Sequence, residues 1–366
     1  MSYIKDEREL LSKPGDTILE TIEHLKMSQV ELADRMGRTP SKINDIISGK
    51  EPITITTAMQ LEKVLGIDAK FWLNREMIYR EKLSRIEQEE ALQECTEWLK
   101  QQPTKELKKL GYLSKDKSGT ALIDECLHFF SVASVPQWEK IYVDQLATTS
   151  FRKSDRYKTA LGSIAAWFRI GEVEMRKLNL PTFDKDRFKS SLDHILQLVY
   201  DFPEDYATQL RDICQSAGVA VIFTISFPNA PISGATRWFG GNPLIQLTDR
   251  FKTNDQFWFT FYHEAAHILL HGKKEIYIEA LEGYVLDQEK EADDFAAKKL
   301  IPNNCVNNLS SSLTIKAIRQ TAVKCKTHPG VLVGHLQHQK LVPYTFGNEL
   351  KVKVNLDYVI YSNNEK

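Results

Sequence analysis

The chain has 366 residues, of which 42% are hydrophobic and 27% are charged, and its formal net charge is −1. These values are typical of a globular protein with two or three domains, and they exclude binding of nucleic acid by positive charge spread over the whole chain. The charged N-terminus, the absence of a long apolar segment and five cysteines without a C-x-x-C pair indicate a cytoplasmic protein. We expect no signal peptide, no membrane span and no disulfide framework.

After a polar leader of residues 1–13, residues 14–80 predict a compact all-α domain. A first helix is followed by a second, which runs from the capping box Ser28-Gln29-Val30-Glu31 to Met36. A four-residue turn separates it from a third helix, Ser41–Ile47. This arrangement is typical of a helix-turn-helix, whose second helix enters the major groove of DNA. The alternatives are a plain helical bundle or a protein-docking module.

The helix-turn-helix motif suggests which side chains contact DNA. Between Arg35 and Lys50 the sequence has four basic residues and one acidic residue, which predicts a small positive patch. Residues predicted to contact base edges are Ser41, Lys42, Asn44 and Asp45, and those predicted to contact phosphates are Gln29, Arg38 and Lys50. Apolar residues predicted to join the two helices are Val30, Leu32, Ile43, Ile46 and Ile47.

The rest of the chain predicts a helical middle region, 81–200, and an α+β domain, 201–345, followed by a tail, 346–366. The middle region has no chemical motif. In the α+β domain, short β-branched runs predict a small antiparallel sheet followed by helices. The predicted strands are residues 219–223, 231–238 and 243–247, and one further strand is predicted in the tail at 350–354.

The strongest motif is His263-Glu264-Ala265-Ala266-His267, inside an apolar run without Gly or Pro. On a helix, His263 and His267 lie on the same face, about 6 Å apart along the axis. Both imidazoles can therefore reach one Zn²⁺, and Glu264 is suited to take a proton from the attacking water. The alternative, a chance match on a surface helix, is disfavoured because two rare histidines and a glutamate stand at the required spacing.

A catalytic zinc site needs a third protein ligand, and the next acidic helix offers Glu289. Asp293 lies one turn further on the same face, where it could accept the N–H of a ligand histidine and fix its tautomer. Glu291 is the alternative ligand, but it points about 160° away from Asp293 and is expected to face solvent. Asp294 is the weaker candidate for the orienting role.

Four further histidines lie near or beyond this motif. His271 continues the series at intervals of four, but its additional turn of rise places it too far for the same metal, so we expect it to be packed or bonded to water. One of His328, His335 and His338 could stabilise the oxyanion of a tetrahedral intermediate, and otherwise they are surface or core residues.

Both halves of the chain resemble known families. Residues 14–80, with Ser28-Gln29-x-x-Leu32-Ala33, Ser41-Lys42-x-Asn44-x-Ile46-Ile47-x-Gly49-Lys50 and Phe71-Trp72-Leu73, resemble the XRE-type antitoxin repressors of the HigA/VapI group. Residues 200–340, with His263-Glu264-x-x-His267 and Glu289-x-x-x-Asp293-x-Phe295-Ala296-Ala297, resemble the ImmA/IrrE metallopeptidases. The fused order is similar to that of long HigA-like proteins, and the resemblance covers about two thirds of the chain.

The resemblance implies a multidomain protein, with an all-α helix-turn-helix domain, a helical middle region and a zincin-like α+β metallopeptidase domain of gluzincin type. His263, His267 and Glu289 would be zinc ligands and Glu264 the general base. Asp293 stands where the family often has Asn, and His335 stands where we would expect Arg.

Three functions fit the sequence. The first is a regulatory zinc endopeptidase that binds operator DNA as a homodimer and cleaves a protein, namely a repressor, a toxin or a second copy of this chain. The second is a DNA-binding antitoxin or repressor of a toxin–antitoxin, stress or mobile-element module, in which the peptidase-like domain is a sensor or docking module without turnover. The third is a scaffold in which both motifs are vestigial.

Overall fold

The computed structural model describes residues 7–143, 161–230, 232–250, 252–272, 277–278, 286–302, 306 and 313–360. The chain divides into two compact units, residues 1–96 and residues 97–366. Within the described residues, no helix combines the length and the apolar character that crossing a bilayer requires.

The first unit is all-α, as the sequence predicts. Its helices are α1 (Pro14–His24), α2 (Gln29–Met36), α3 (Pro40–Ile47), α4 (Ile55–Leu65) and α5 (Ala69–Gln93). The pair α2 and α3 with the short turn between them forms the helix-turn-helix. Helix α5 continues across the predicted domain boundary between residues 80 and 81, and the domain boundaries read from the sequence stay predictions.

Local interactions define both ends of α2. Ser28 Oγ accepts a hydrogen bond from Glu31 N at 3.1 Å, so the predicted N-cap forms. Gly37 ends the helix with φ of 66°, a conformation that glycine adopts without steric cost. The predicted capping box is only half formed among the described contacts, because the Glu31 carboxylate accepts from Arg35 at 2.7 Å.

The helices of the first unit enclose one apolar core. It includes Leu32, Ala33 and Met36 from α2 and Ile43, Ile46 and Ile47 from α3. The prediction that Val30 belongs to this joint is wrong, because its side chain is 56% exposed. Val30 lies about 200° around α2 from Leu32, so it points away from the core.

The second unit combines helices with a small sheet. Its helices before the sheet are α6 (Thr96–Lys100, which begins at the division), α7 (Thr104–Lys109), α8 (Gly119–Phe130), α9 (Val135–Trp138), a π-helical turn (Glu139–Val143), α10 (Leu161–Arg176), α11 (Lys185–Asp201) and α12 (Tyr206–Ser216). The strands are β1 (Ala220–Thr224), β2 (Gly234–Phe239), β3 (Asn242–Thr248) and β4 (Tyr277–Ile278). The later helices are α13 (Asn254–Leu270), α14 (Leu286–Leu300), α15 (Ile315–Lys324), α16 (Pro329–His338), a 3-10 turn (Asn348–Leu350) and α17 (Asp357–Ile360).

The sheet has the strand order β1-β3-β2-β4 and is mixed, not antiparallel as predicted. Strands β2 and β3 form an antiparallel hairpin through Gly240 and Gly241, whose φ angles are 57° and 98°. Two residues with positive φ are what a tight hairpin turn requires. Strand β1, however, pairs with β3 in parallel, because the connection from β1 crosses to the far side of the hairpin.

The predicted strand at 350–354 is also wrong. Leu350 ends the 3-10 turn, and this part of the tail pairs through a single antiparallel bridge between Lys353 and Thr253. Thr253 is the N-cap of α13, so its backbone turns into the helix and cannot extend the pairing. The bridge ties the tail to the start of the helix that carries the histidine motif.

We expect Gly15→Ala to loosen the first unit. Its Cβ would lie 1.9 Å from the backbone oxygen of Ile47, so α1 and α3 would have to separate. The free energy of unfolding of this unit should fall by about 1–3 kcal/mol. Hydrogen exchange of peptides from α1 and α3 in the full chain measures this. The exposed control Glu20→Ala should change it by less than about 0.5 kcal/mol, and equal protection in both variants would contradict the packing described.

Candidate metal centre and DNA-contact surface

Helix α13 is buried on nearly all sides although it carries three ionisable groups in its middle. His263, Glu264 and His267 are 2%, 0% and 1% exposed. The aromatic and aliphatic residues before and after them make the helix apolar all round, which is typical of a helix inside a core. Strand β2 packs on one side of the helix and α14 on another. Each polar group in the middle therefore needs a partner from a neighbouring element.

Helix α14 brings Glu289 to the two histidines. The Nε2 atoms of His263 and His267 are 3.0 Å apart. Glu289 Oε2 lies 3.1 Å from His263 Nε2, and Glu289 Oε1 lies 3.5 Å from His267 Nε2. One ligand atom from each residue lies within 4.8 Å of the others, so the three form a group that could hold a metal ion.

The donor set and its spacing fit a zinc ion. Ligand atoms bound at 2.0–2.2 Å in a tetrahedron are separated by about 3.3 Å, close to the three distances above. Burial lowers the pKa of His267 to about 2, with smaller contributions from His263 and His271. A neutral imidazole is the form that binds a metal, so this environment favours the ligand form of His267.

Each of the two histidines has a further partner on its other ring nitrogen. His263 Nδ1 lies 2.8 Å from Asp293 Oδ1, the position that sequence spacing suggested for the orienting carboxylate. His267 Nδ1 lies 2.9 Å from Nδ1 of His271, which is buried as expected. His271 Nε2 in turn lies 3.1 Å from Glu291 Oε2. Glu291 is 64% exposed, as expected, but it also ends a chain of contacts that leads to a candidate ligand.

Strand β2 holds Glu264. The Thr236 hydroxyl donates to Glu264 Oε2 at 2.7 Å and lies 3.0 Å from the Glu264 backbone oxygen. Gly234 permits this close approach, since a Cβ there would lie 2.7 Å from Thr260 Cγ2 and 2.9 Å from Glu264 Oε1. Sequence reasoning missed Thr236 and Gly234, because nothing in the spacing along the chain relates a strand to a helix twenty-odd residues later.

The three later histidines have different surroundings. His328 Nδ1 accepts a hydrogen bond from Gly330 N at 3.0 Å and lies 2.9 Å from the Asn254 side-chain amide. His328 therefore caps α16 and joins it to the start of α13. His335 and His338 line a cavity next to α13.

In the first unit, most of the residues predicted to contact DNA lie on the surface around α3. Gln29, Ser41, Lys42, Asn44 and Lys50 are exposed, and Asp45 is half-buried. Lys42 Nζ lies 2.8 Å from Glu51 Oε2. Glu51 stands one residue beyond the stretch in which basic residues were counted, so the positive patch is weaker than predicted.

Arg38 is largely engaged within the domain. Its guanidinium donates to Gln60 Oε1 at 2.9 Å and to Thr57 Oγ1 at 2.8 Å, and its side chain is 20% exposed. These bonds join the turn of the helix-turn-helix to α4. A phosphate contact by Arg38 stays a prediction, and it would have to compete with both bonds.

Comparisons with known proteins match both units. Residues 18–72 match the family described as Helix-turn-helix, and residues 214–309 match the IrrE N-terminal-like domain. The chain is 36% identical over 62 residues to the uncharacterized HTH-type transcriptional regulator YddM of Escherichia coli (strain K12), covering 17% of this chain and 66% of that protein. It is 36% identical over 74 residues to Virulence-associated protein I of Dichelobacter nodosus, covering 19% of this chain and 67% of that protein.

The chain belongs to the helix-turn-helix family and carries an IrrE N-terminal-like domain. The predicted fold class and the predicted order of the two parts are thereby confirmed. Each alignment spans about two thirds of the relative and at most 19% of this chain. The HigA/VapI subgroup stays a prediction. The IrrE-like match includes β1, β2, β3, α13 and α14, and hence every residue of the candidate metal group.

We expect Glu289→Gln to lower the zinc affinity of the IrrE-like domain at least about 100-fold, because a neutral amide replaces the carboxylate that faces both histidines. Zinc competition with a chelating dye, using the full chain, measures the affinity. Asp287→Asn, an exposed position on the same helix, is the matched control and should change the affinity less than about threefold. A larger loss of zinc affinity in Glu291→Gln than in Glu289→Gln would make Glu291 the ligand.

Proposed function

We propose that this protein is a transcriptional regulator that binds operator DNA through its helix-turn-helix domain and cleaves a regulatory protein with its IrrE-like domain, acting as a zinc-dependent endopeptidase. The observation that carries the proposal is the convergence of His263, His267 and Glu289 beside Glu264. Two histidines and a carboxylate beside a further glutamate are groups suited to zinc-dependent hydrolysis of a peptide bond.

The residues of the site divide the chemistry between them. His263, His267 and Glu289 would hold the ion, which supplies a Lewis acid that polarises the peptide carbonyl. Glu264 accepts the proton of the attacking water and returns it to the leaving amine. Thr236 fixes the carboxylate in one orientation through the bond at 2.7 Å. Asp293 and His271 fix the ring planes of the two histidines from the other side.

The proposed substrate is a protein that acts in the same regulatory circuit: a repressor, a toxin, or a second copy of this chain. A domain that binds DNA and a domain that cleaves proteins on one chain are useful together if cleavage changes what is bound at an operator. Operator binding as a homodimer is part of the proposal, because a two-fold arrangement lets two helix-turn-helix motifs read successive half-sites.

A second candidate function is a DNA-binding repressor or antitoxin whose IrrE-like domain senses or docks a partner without turnover. The burial of Glu264, at 0% exposed, favours this candidate, because the attacking water must come within hydrogen-bond reach of that carboxylate. The two candidates make different predictions for cleavage and the same prediction for DNA binding.

We expect Glu264→Gln to reduce cleavage at least about 1,000-fold while zinc affinity changes less than about threefold, because the amide keeps the shape of the carboxylate but accepts no proton. Proteins encoded next to this gene and a second copy of the chain are incubated with the zinc-loaded protein, and fragments are measured by mass spectrometry. Asp287→Asn, at an exposed position on α14, is the control.

A Glu264→Gln protein that cuts as fast as the natural one would exclude Glu264 as the base. If the natural, zinc-loaded protein cuts none of these proteins while still binding DNA, the candidate without turnover is favoured.

We expect Asn44→Ala to weaken specific DNA binding by about 1–3 kcal/mol, since Asn44 is exposed on the second helix of the motif and can make a bidentate contact with a base. The fragment is selected from random DNA by the natural protein, and affinities are measured by gel shift at one fixed salt concentration. Glu20→Ala on α1 should leave the affinity unchanged. Equal loss on selected and unselected DNA would argue against a base contact.

A further inference from the structure

A cavity of about 480 Å³ lies in the second unit between α13, α14 and α16. Its apolar walls include Phe259, Leu300 and Val331, and its polar lining includes Asp255 and Asp293. This volume falls within the range of about 300–1,000 Å³ that is typical of ligand sites, which are mostly apolar with a few polar groups that orient the ligand.

The cavity adjoins the candidate metal centre. Asp255, Phe259 and His263 follow one another at intervals of four on α13, so they lie along one face of the helix. The Phe259 ring is 6.4 Å from the His263 ring and 6.2 Å from the His338 ring. Asp293, which contacts His263, also lines the cavity. Asp255 stands eight residues before His263, which is about 12 Å along the helix axis.

Asp255 is a buried carboxylate with one oxygen in use. It is 8% exposed, and its Oδ2 pairs with Lys351 Nζ at 2.7 Å. Its Oδ1 is buried and has no hydrogen-bond donor among the residues that the structure describes. Gly334 allows α16 to pack closely here, since a Cβ at Gly334 would lie 2.4 Å from Asp255 Oδ2. A buried acceptor without a donor is costly, and its occurrence on a residue that lines a cavity points to a ligand that supplies the donor.

We propose that this cavity binds an aromatic side chain that ends in an uncharged hydrogen-bond donor, such as tyrosine, with its ring against Phe259 and its donor on Asp255 Oδ1. Lys351 already provides the counter-charge of Asp255, so Oδ1 lacks a hydrogen bond and not a positive charge. A lysine or arginine side chain at Oδ1 would bring a second cation next to Lys351 and is disfavoured at that position, whereas Asp293 and Asp294 would attract a cation elsewhere in the lining. The apolar walls accommodate the ring.

The proposed function determines where this side chain would come from. If the IrrE-like domain cleaves proteins, the tyrosine-like residue belongs to the substrate and lies within about three or four residues of the scissile bond, since an extended chain advances about 3.3–3.6 Å per residue. The inference therefore rests on the proposed function for the identity of the ligand, but binding in the cavity can be measured without turnover.

The first test uses small probes and the full-length natural protein, with and without zinc. The probes are 4-methylphenol and 4-methylanisole, which differ in that the ether has no donor. Binding is followed by NMR through the methyl groups of Val331 and Leu300. We expect 4-methylphenol to bind at least about tenfold more tightly, because a hydrogen bond to a buried charged group is strong. Equal binding of the two probes, or tighter binding of n-propylguanidinium, overturns the proposal.

Matched variants test whether Asp255 causes the preference for 4-methylphenol over 4-methylanisole. In Asp255→Leu/Lys351→Met, both members of the ion pair are replaced by apolar side chains of similar size, so no charge is left buried alone. The preference for 4-methylphenol should disappear while 4-methylanisole binding changes less than about threefold. Asp294→Asn, in the same cavity lining, should keep the preference. A preference that survives in the double variant overturns the role of Asp255.

The second test separates this inference from the proposed function. The zinc-loaded protein is incubated with a mixture of peptides derived from a proteome, and the cut sites are sequenced. Enrichment of tyrosine at one position relative to the cut site supports both the cavity proposal and the peptidase proposal if the double variant loses it. If no peptide is cut while 4-methylphenol keeps its preference, the peptidase proposal fails and the cavity proposal stands. If peptides are cut without any aromatic preference and the probes bind equally, the cavity proposal fails and the peptidase proposal stands.

Discussion

The second unit depends on one energetic constraint, which is that α13 keeps two imidazoles and a carboxylate inside an apolar interior. His263, Glu264 and His267 are at most 2% exposed, so water cannot replace partners that the fold does not provide. An isolated buried polar group costs several kcal/mol, and an isolated charge costs more. The neighbouring elements satisfy this requirement: β2 provides a hydroxyl for Glu264, and α14 provides carboxylates for the histidines.

Close approach of backbones makes these contacts possible. Gly234 brings β2 against the carboxylate of Glu264, and Gly334 brings α16 against Asp255 at the start of the same helix. The bridge from Lys353 to Thr253 ties the tail to the N-cap of α13. The helix is thereby fixed along its length and at its first residue. Small errors in ligand position are expensive in a metal site, so a rigid support of this kind suits the proposed role.

The sequence predicted those parts of the site that depend on spacing within one helix. His263 and His267 share a face because they are four residues apart, and the same rule relates Glu289 to Asp293, which the structure brings to the two histidines. Contacts between distant elements could not be read in this way. Thr236 was missed because its position opposite Glu264 follows from the packing of β2 against α13, which no spacing along the chain predicts.

Two other differences arose from considering too few partners. His271 was judged by its distance from the metal alone, yet its ring nitrogen reaches His267, and Glu291 reaches His271. The positive patch of the helix-turn-helix was counted without Glu51, which pairs with Lys42. In the all-α unit the second and third helices agreed with their predicted bounds to within one residue, because caps and periodicity are local signals. Val30 was assigned to the core although its position about 200° around α2 from Leu32 places it on the opposite, exposed face.

The charges around the two histidines suggest why metal binding and packing of α14 would be coupled. Glu289 and Asp293 lie one turn apart, and both contact the His263 ring, while Glu289 also lies 3.5 Å from His267 Nε2. Among the residues that the structure describes, neither carboxylate pairs with a lysine or an arginine, so their mutual repulsion is opposed only by hydrogen bonds to imidazole. A divalent ion would offset both charges and connect α13 to α14. Because such an ion binds the folded arrangement and not the separated helices, its binding free energy would add to the stability of this contact.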